Sequence, residues 1–314
     1  MKTTNNSNNM YTRREASKLI AGTAIVGFLV PSLMSFNQKT MNERKIPSTG
    51  EGLPIVGLGT WQSFDIGNDP KQIEQLSEVL INMNELGGKM IDSSPMYGRS
   101  EKVVGELTTK LKIQKKFFYA TKVWIEGKQQ GINQMNASFQ KMKRETMDLM
   151  QIHNLVDWKT HIKTLKDWKE NGKIRYIGIT HYTNSSHNTL VKLIRSERPD
   201  FVQFNYSINE RNAESELLKV AKEYGTAVII NRPYAGGSLF RKIRGKALPE
   251  WCKEIEIASW GQYFLKFILA NEAVNCVIPG TSNPKHLIDN MTAGFGRLPN
   301  DAEKKKMLQY LDSL

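Results

Sequence analysis

From about Asn42 onward the chain repeats one unit, a short apolar run followed by a longer stretch with helical periodicity. The runs are LPIVGLG (53–59), KMID (89–92), FFYATKV (117–123), DLMQIH (148–153), IRYIGIT (174–180), FVQFNY (201–206), TAVIIN (226–231) and VNCVIPG (274–280). Between them lie stretches such as QIEQLSEVLINMNEL, GINQMNASFQKMKRE and IASWGQYFLKFILANE, where apolar residues recur every three or four positions. Strands that alternate with helices pair in parallel, because a parallel return needs a crossover. Eight such units predict a closed (β/α)8 TIM barrel, a fold that commonly takes about 250 residues. An open dinucleotide-binding sheet would carry G-x-G-x-x-G after its first strand, and GLGTWQ (57–62) does not complete that motif.

Composition removes several other classes. The chain is 39% hydrophobic and 24% charged, ordinary globular values. Its formal charge of +13 raises the question of nucleic acid. Residues 1–45 hold part of that excess, +5, with Lys2, Arg13, Arg14, Lys18, Lys39, Arg44 and Lys45 against Glu15 and Glu43. The remainder has no basic run interleaved with aromatics, so no nucleic-acid partner is expected. Cys252 and Cys276 form neither a disulfide framework nor a metal-ligand spacing, and no metal is expected.

The N-terminal segment TRREASKLI places Arg13-Arg14 ahead of LIAGTAIVGFLVPSLMSF, which Gly22, Thr23, Gly27, Pro31 and Ser32 dilute. A spanning helix takes about 20 strongly apolar residues, and this stretch is shorter and softer. It resembles a twin-arginine export signal, with Lys39, Arg44 and Lys45 as a basic flank. That resemblance implies the Tat translocase as a partner and a periplasmic location, free or membrane-anchored. An ordinary signal-anchor helix is the other reading, and a cytoplasmic protein results if the segment is no signal. Residues 1–45 are therefore assigned to signal or anchor and linker, and residues 46–314 to the barrel domain.

In a barrel of this kind the chemistry sits at the C-terminal ends of the strands. That rule selects Asp92 at the end of the second run, Tyr97 in the loop after it, Lys122 in ATKVW and His153 in QIHNL. Alone, a strand-end lysine is a solvated cap and a lone histidine a structural hydrogen-bonder. Four such groups converging on one mouth from three consecutive strands make a site. Reducing a carbonyl requires a proton at the oxygen as well as a hydride at carbon. Tyr97 is a poor acid unless its phenolate is stabilised, and the Lys122 ammonium would do that. Asp92 would orient Lys122 and keep it charged, while a ring N–H of His153 would hold the substrate oxygen.

These contexts resemble the catalytic tetrad of the aldo-keto reductase family. The stretch MIDSSPMYG, with SE and VG following, is among the more specific of that family. RYIGIT, VQFNYS, VIINRP and VIPGTSNPKHLIDN match in order, so the resemblance runs from about Leu53 to Asn290. It implies an NAD(P)H-dependent oxidoreductase that reduces aldehydes and ketones to alcohols. The same resemblance implies that Gln203 bonds the nicotinamide amide, with Thr180 and His181 beside it where relatives have serine and asparagine. Asn231, followed by Arg232 and Pro233, stands where a ring commonly stacks on the nicotinamide; Tyr234 or Tyr206 would have to replace it. Gly280 and Thr281 would meet phosphate, and Asp289 and Asn290 the adenine. Where relatives often present a lysine and an arginine to a 2′-phosphate, this chain has Gly280 and His286, with Ser282 and Lys285 close by, so NADPH is expected and NADH is possible. Trp61 and Trp124 would wall the substrate pocket, ordinary barrel packing being the alternative. The long connection 234–260, with its Gly-Gly pair, would either fold over the cofactor or stay a solvated loop. A different class of function is a non-catalytic or regulatory barrel that binds nucleotide as a sensor or partner subunit. Such a module has no need of Lys122 beside Tyr97.

Overall fold

The computed structural model describes residues 40–314; the paired arginines and the apolar stretch after them lie outside the described residues. The apolar runs form β3 (Leu58–Gly59), β4 (Met90–Asp92), β5 (Phe118–Val123), β6 (Met147–His153), β7 (Ile174–Thr180), β8 (Phe201–Asn205), β9 (Ala227–Asn231) and β10 (Cys276–Val277). They pair in chain order, every neighbouring pair parallel, as seven crossovers require. The sheet closes where Val56 bridges Val277 and Gly59 bridges Gly280. A Cβ on Gly59 would lie 2.8 Å from the Ile278 carbonyl oxygen, so this seam requires glycine. Eight parallel strands in a nearly closed barrel are the architecture that the alternation predicts.

The first apolar run does not behave as one strand. Its front part is β2 (Gly52–Pro54), which pairs antiparallel with β1 (Glu43–Lys45); only Leu58–Gly59 joins the barrel. The hairpin buries Ile46 and Leu53 among the inward residues at the N-terminal end of the barrel, Met90, Phe118, Leu149 and Phe201 among them. It is a plug, and that burial detaches it from the sheet. Residues 40–45 therefore belong with the barrel, and the boundary expected after Lys45 lies upstream of β1. The Arg44 guanidinium fixes the plug by donating to the carbonyls of Leu269, Asn271 and Val274.

Helices cover the outside of the sheet: α1 (Pro70–Glu85), α2 (Ser100–Lys110), α3 (Lys128–Lys141), α4 (Trp158–Glu170), α5 (His187–Glu197), α6 (Leu217–Glu223), α7 (Ser238–Lys242), α8 (Trp260–Leu269), α9 (Pro284–Thr292) and α10 (Asp301–Asp312). Their starts are written locally. Asp69 and Asn283, each just ahead of a proline (Pro70 and Pro284), accept from the Lys71 and Lys285 N–H groups, and Asn300 and Glu303 form a reciprocal capping box. The connection 234–260 is largely helical, containing α7 and two short 3-10 turns rather than an open loop.

Along each strand every second residue points into the barrel. The inward series begins apolar and turns polar: Met90 then Asp92, Phe118 and Ala120 then Lys122, Leu149 then Gln151, Phe201 then Gln203, Ala227 and Ile229 then Asn231. The lower barrel is thus a packed core, and the upper barrel a polar layer beneath the mouth.

Candidate active site

The polar layer is organised around Asp92 and Lys122, both fully buried. Lys122 Nζ donates to Asp92 Oδ2 at 2.5 Å and to the Ser93 carbonyl at 2.7 Å. The other carboxylate oxygen, Oδ1, accepts from Gln151 Nε2 and from Gln203 Nε2, each at 2.9 Å. Gln203 Nε2 also donates to Gln151 Oε1, while Asn231 Nδ2 donates to Gln203 Oε1 and to the His181 carbonyl. A buried charge pair is tolerable when its remaining donors and acceptors are satisfied, and the two glutamines do this for Asp92. Gly178 makes the arrangement possible: a Cβ there would sit 2.7 Å from Gln151 Cγ.

Burial pushes Lys122 towards neutrality, but Asp92 and Tyr97 oppose it more strongly, so its pKa ends raised and the ammonium persists. The Lys122 Nζ lies 4.9 Å from the centre of the Tyr97 ring. Burial raises the Tyr97 pKa, the ammonium lowers it and Asp92 raises it again; the net direction is upward. The sequence alone suggests a phenol made more acidic by its lysine. Instead the lysine offsets only part of the desolvation, to which Asp92 adds, and Tyr97 is a protonated phenol at neutral pH.

His153 stands between the Tyr97 and Trp124 rings, at 5.8 and 6.4 Å between centroids. Its Nδ1 lies 2.9 Å from Ser94 Oγ. Burial, the Lys122 ammonium and His181 drive its pKa down to about 2, so the imidazole is neutral. Trp61 and Trp124 are exposed on the loops after β3 and β5, with Met96 and Tyr182 exposed on the loops after β4 and β7. Trp124 is held by its backbone: its N–H donates to Gln134 Oε1 at 2.6 Å and its carbonyl accepts from Gln134 Nε2.

The residues expected at a nucleotide divide into two groups. Thr180, His181, Gln203 and Asn231 lie together at the ends of β7, β8 and β9, beside the tetrad. His181 Nδ1 accepts from the N–H groups of Tyr182 and Thr183, which leaves its proton on Nε2. Arg232 follows in a left-handed conformation (φ 49°) with its Nε buried and unpartnered, and the Asn231 Oδ1 is buried and unpartnered too. Pro233 is buried next to them. At the other side, Gly280 lies on the barrel seam and Thr281 Oγ1 accepts from Asn283 N–H, while the Ser282 carbonyl accepts from Gln75. Lys285 and His286 are exposed in the first turn of α9. Asp289 has both oxygens taken, by Ser259 and Gln262, and so clasps α8 to α9; Asn290 Oδ1 accepts from Tyr234. Tyr206 cannot supply a stacking ring, being fully buried with its hydroxyl on Glu214. Tyr234 packs on Phe240 and Phe264, and its hydroxyl donates to Asn290 on α9.

Ser94, Gln151, Gly178 and Gln134 escaped the reading of strand ends. Gln151 and Ser94 carry a usable signal, since each lies two residues from a tetrad member and so on the same face of its segment. Gln134 sits on a helix and has none.

The sequence profile of the Aldo/keto reductase family matches residues 55–307. Methylglyoxal reductase YeaE of Escherichia coli is 28% identical over 258 residues, covering 80% of this chain and 89% of that protein. An NADH-specific methylglyoxal reductase of the same organism is 25% identical over 264 residues, covering 72% and 78%. Among solved structures, an aldo/keto reductase from Klebsiella pneumoniae in complex with NADP and acetate superposes with a TM-score of 0.71 at 20% identity, covering 83% of this chain and 93% of its own.

Proposed function

Because the chain belongs to the aldo/keto reductase family, we propose that its barrel mouth reduces small aldehydes and ketones to alcohols, with Tyr97 giving the proton to the carbonyl oxygen. The observation that carries the reading is the complete arrangement of Tyr97, the buried Lys122–Asp92 pair and neutral His153 at one mouth. A sensor or partner-subunit barrel has no use for a buried cation held against a tyrosine, and that alternative is not favoured. His153 holds the carbonyl oxygen as a neutral donor, and Lys122 offsets the negative charge that grows on the Tyr97 oxygen as its proton leaves. Trp61 and Trp124 keep water from the carbonyl carbon. A reduced nicotinamide dinucleotide, when bound, supplies the hydride that no side chain can.

The chain's residues fit that group. Two buried polar atoms at the end of β9, Asn231 Oδ1 and Arg232 Nε, lack partners, as expected where a polar ligand completes the site. Thr180, His181, Gln203 and Asn231 would hold the nicotinamide end, Arg232, Pro233, Gly280 and Thr281 the pyrophosphate, and Asn290 the adenine. Ser282, Lys285 and His286 would face the 2′-phosphate of NADPH. Asp289 would serve through its clasp on α8. NADPH is the favoured dinucleotide, with NADH the competitor that one relative's name records. The paired arginines and soft apolar stretch support export by the Tat translocase, which would place the enzyme in the periplasm.

The test is a tryptophan-fluorescence titration of the full-length protein with NADPH and NADH, followed by turnover on methylglyoxal and larger aldehydes. Saturable quenching with carbonyl-dependent nucleotide oxidation is expected; folded, nucleotide-free protein that binds neither would sink the proposal. The pH profile follows from the site. Reduction needs protonated Tyr97, whose pKa is raised above the ordinary phenol value, so activity is lost only as pH rises through that raised value. Turnover should stay level from about pH 6 to 9 and fall above about 10. His153, neutral down to about pH 2, adds no acid limb. A descending limb centred near pH 7 would contradict the assignment.

A further inference from the structure

His153 is neutral, so its remaining freedom is which ring nitrogen carries the proton, and only one choice puts a donor towards a substrate oxygen. The group hydrogen-bonded to Nδ1 is Ser94 Oγ, fully buried, 2.9 Å away. That hydroxyl has one proton to give and two lone pairs. One lone pair accepts from Met96 N–H at 3.4 Å. Among the described residues no acceptor other than His153 Nδ1 lies within hydrogen-bonding distance of Ser94 Oγ. Were His153 to donate from Nδ1, the serine proton would be left buried and unpaired, at a cost of about 1–3 kcal/mol. We propose that Ser94 donates to His153 Nδ1 and thereby fixes the Nε2–H tautomer, making Ser94 a positioning residue for carbonyl reduction.

The opposite tautomer would turn a lone pair from Nε2 towards the carbonyl oxygen and repel it. The rings of Tyr97 and Trp124 lie against the imidazole, at 5.8 and 6.4 Å between centroids, and hinder the ring flip that would carry Nδ1 away from Ser94. The tautomer assignment stands on Ser94 and His153 alone; its effect on turnover rests on the reductase reading.

The experiment is imidazole ¹⁵N spectroscopy of the full-length protein, with the His153 signals assigned by their loss in His153→Gln. A pyridine-type Nδ1 and a pyrrole-type Nε2 are expected. In Ser94→Ala the two shifts should move towards each other as the second tautomer becomes populated, and kcat/KM should fall about tenfold with NADPH affinity unchanged. Ser94→Thr, which keeps a hydroxyl, should restore both. A pyrrole-type Nδ1 in the native protein, or unchanged shifts and kcat/KM in Ser94→Ala, would overturn the proposal. Native protein that shows the tautomer but reduces no carbonyl would instead overturn the reductase reading and leave the tautomer standing.

Discussion

Tyr97→Phe should lower turnover at least about a hundredfold while leaving nucleotide affinity within about twofold, because the substitution removes one oxygen and little else. That oxygen is the proposed proton donor, its ring lies 4.9 Å from the Lys122 ammonium, and burial keeps it protonated at neutral pH. The Tyr97 ring would survive in the variant and still pack edge-on against His153. Titrating the variant with NADPH and then assaying it with a good aldehyde separates the two effects. Turnover within tenfold of the native value would assign the proton to another group. Equal loss of binding and turnover would mean that the hydroxyl shapes the site rather than acting in it.

The larger structural effect belongs to Asp92→Ala. Lys122 is fully buried, and Asp92 is its only counterion among the described residues. Removing the carboxylate strands a charge and also deprives the Gln151 and Gln203 amide groups of the oxygen they share. Breaking a buried pair in this way costs about 3–5 kcal/mol. For a domain of this size that lowers Tm on the order of 10 °C, read by thermal denaturation. Asp92→Asn keeps the volume but not the charge, so it should recover part of the stability and little of the turnover. Without Asp92 the desolvation of Lys122 is no longer outweighed, and the ammonium that supports Tyr97 is lost with it. Native-like Tm and activity in Asp92→Ala would show that the pair is not the anchor of the layer.

The barrel was legible because each crossover leaves its own mark: an apolar run, a period-3.6 stretch, and caps such as Asp69-Pro70 and Asn283-Pro284. The tetrad was legible for a simpler reason. Inward positions that change from Met90 to Asp92 and from Ala120 to Lys122 announce where packing stops and chemistry starts. Three kinds of information were hidden. The division of LPIVGLG into plug and strand depends on Ile46 and Leu53 finding the far end of the barrel, a contact that no local pattern encodes. The direction of the Tyr97 shift depends on how far burial outweighs the Lys122 ammonium, with Asp92 adding to burial, a balance set by the folded geometry. The partners of Asp289 and Asn290 lie on α8 and after β9, so their engagement with Ser259, Gln262 and Tyr234 appears only once the chain has folded.

The plug also dictates an order of events during biosynthesis. Arg44 is among the first barrel residues made, yet the carbonyls it requires belong to Leu269, Asn271 and Val274, more than two hundred residues later. Asn275, which donates to the Lys45 carbonyl, is equally late. Contacts this distant form slowly, after the intervening chain has been gathered. The floor of the barrel therefore cannot seal until nearly the whole polypeptide has left the ribosome. A secretion pathway that threads nascent chain would catch the molecule with its base open and its apolar interior wet. The proposed twin-arginine route carries finished proteins, so a late seal is compatible with it: synthesis, then closure, then passage.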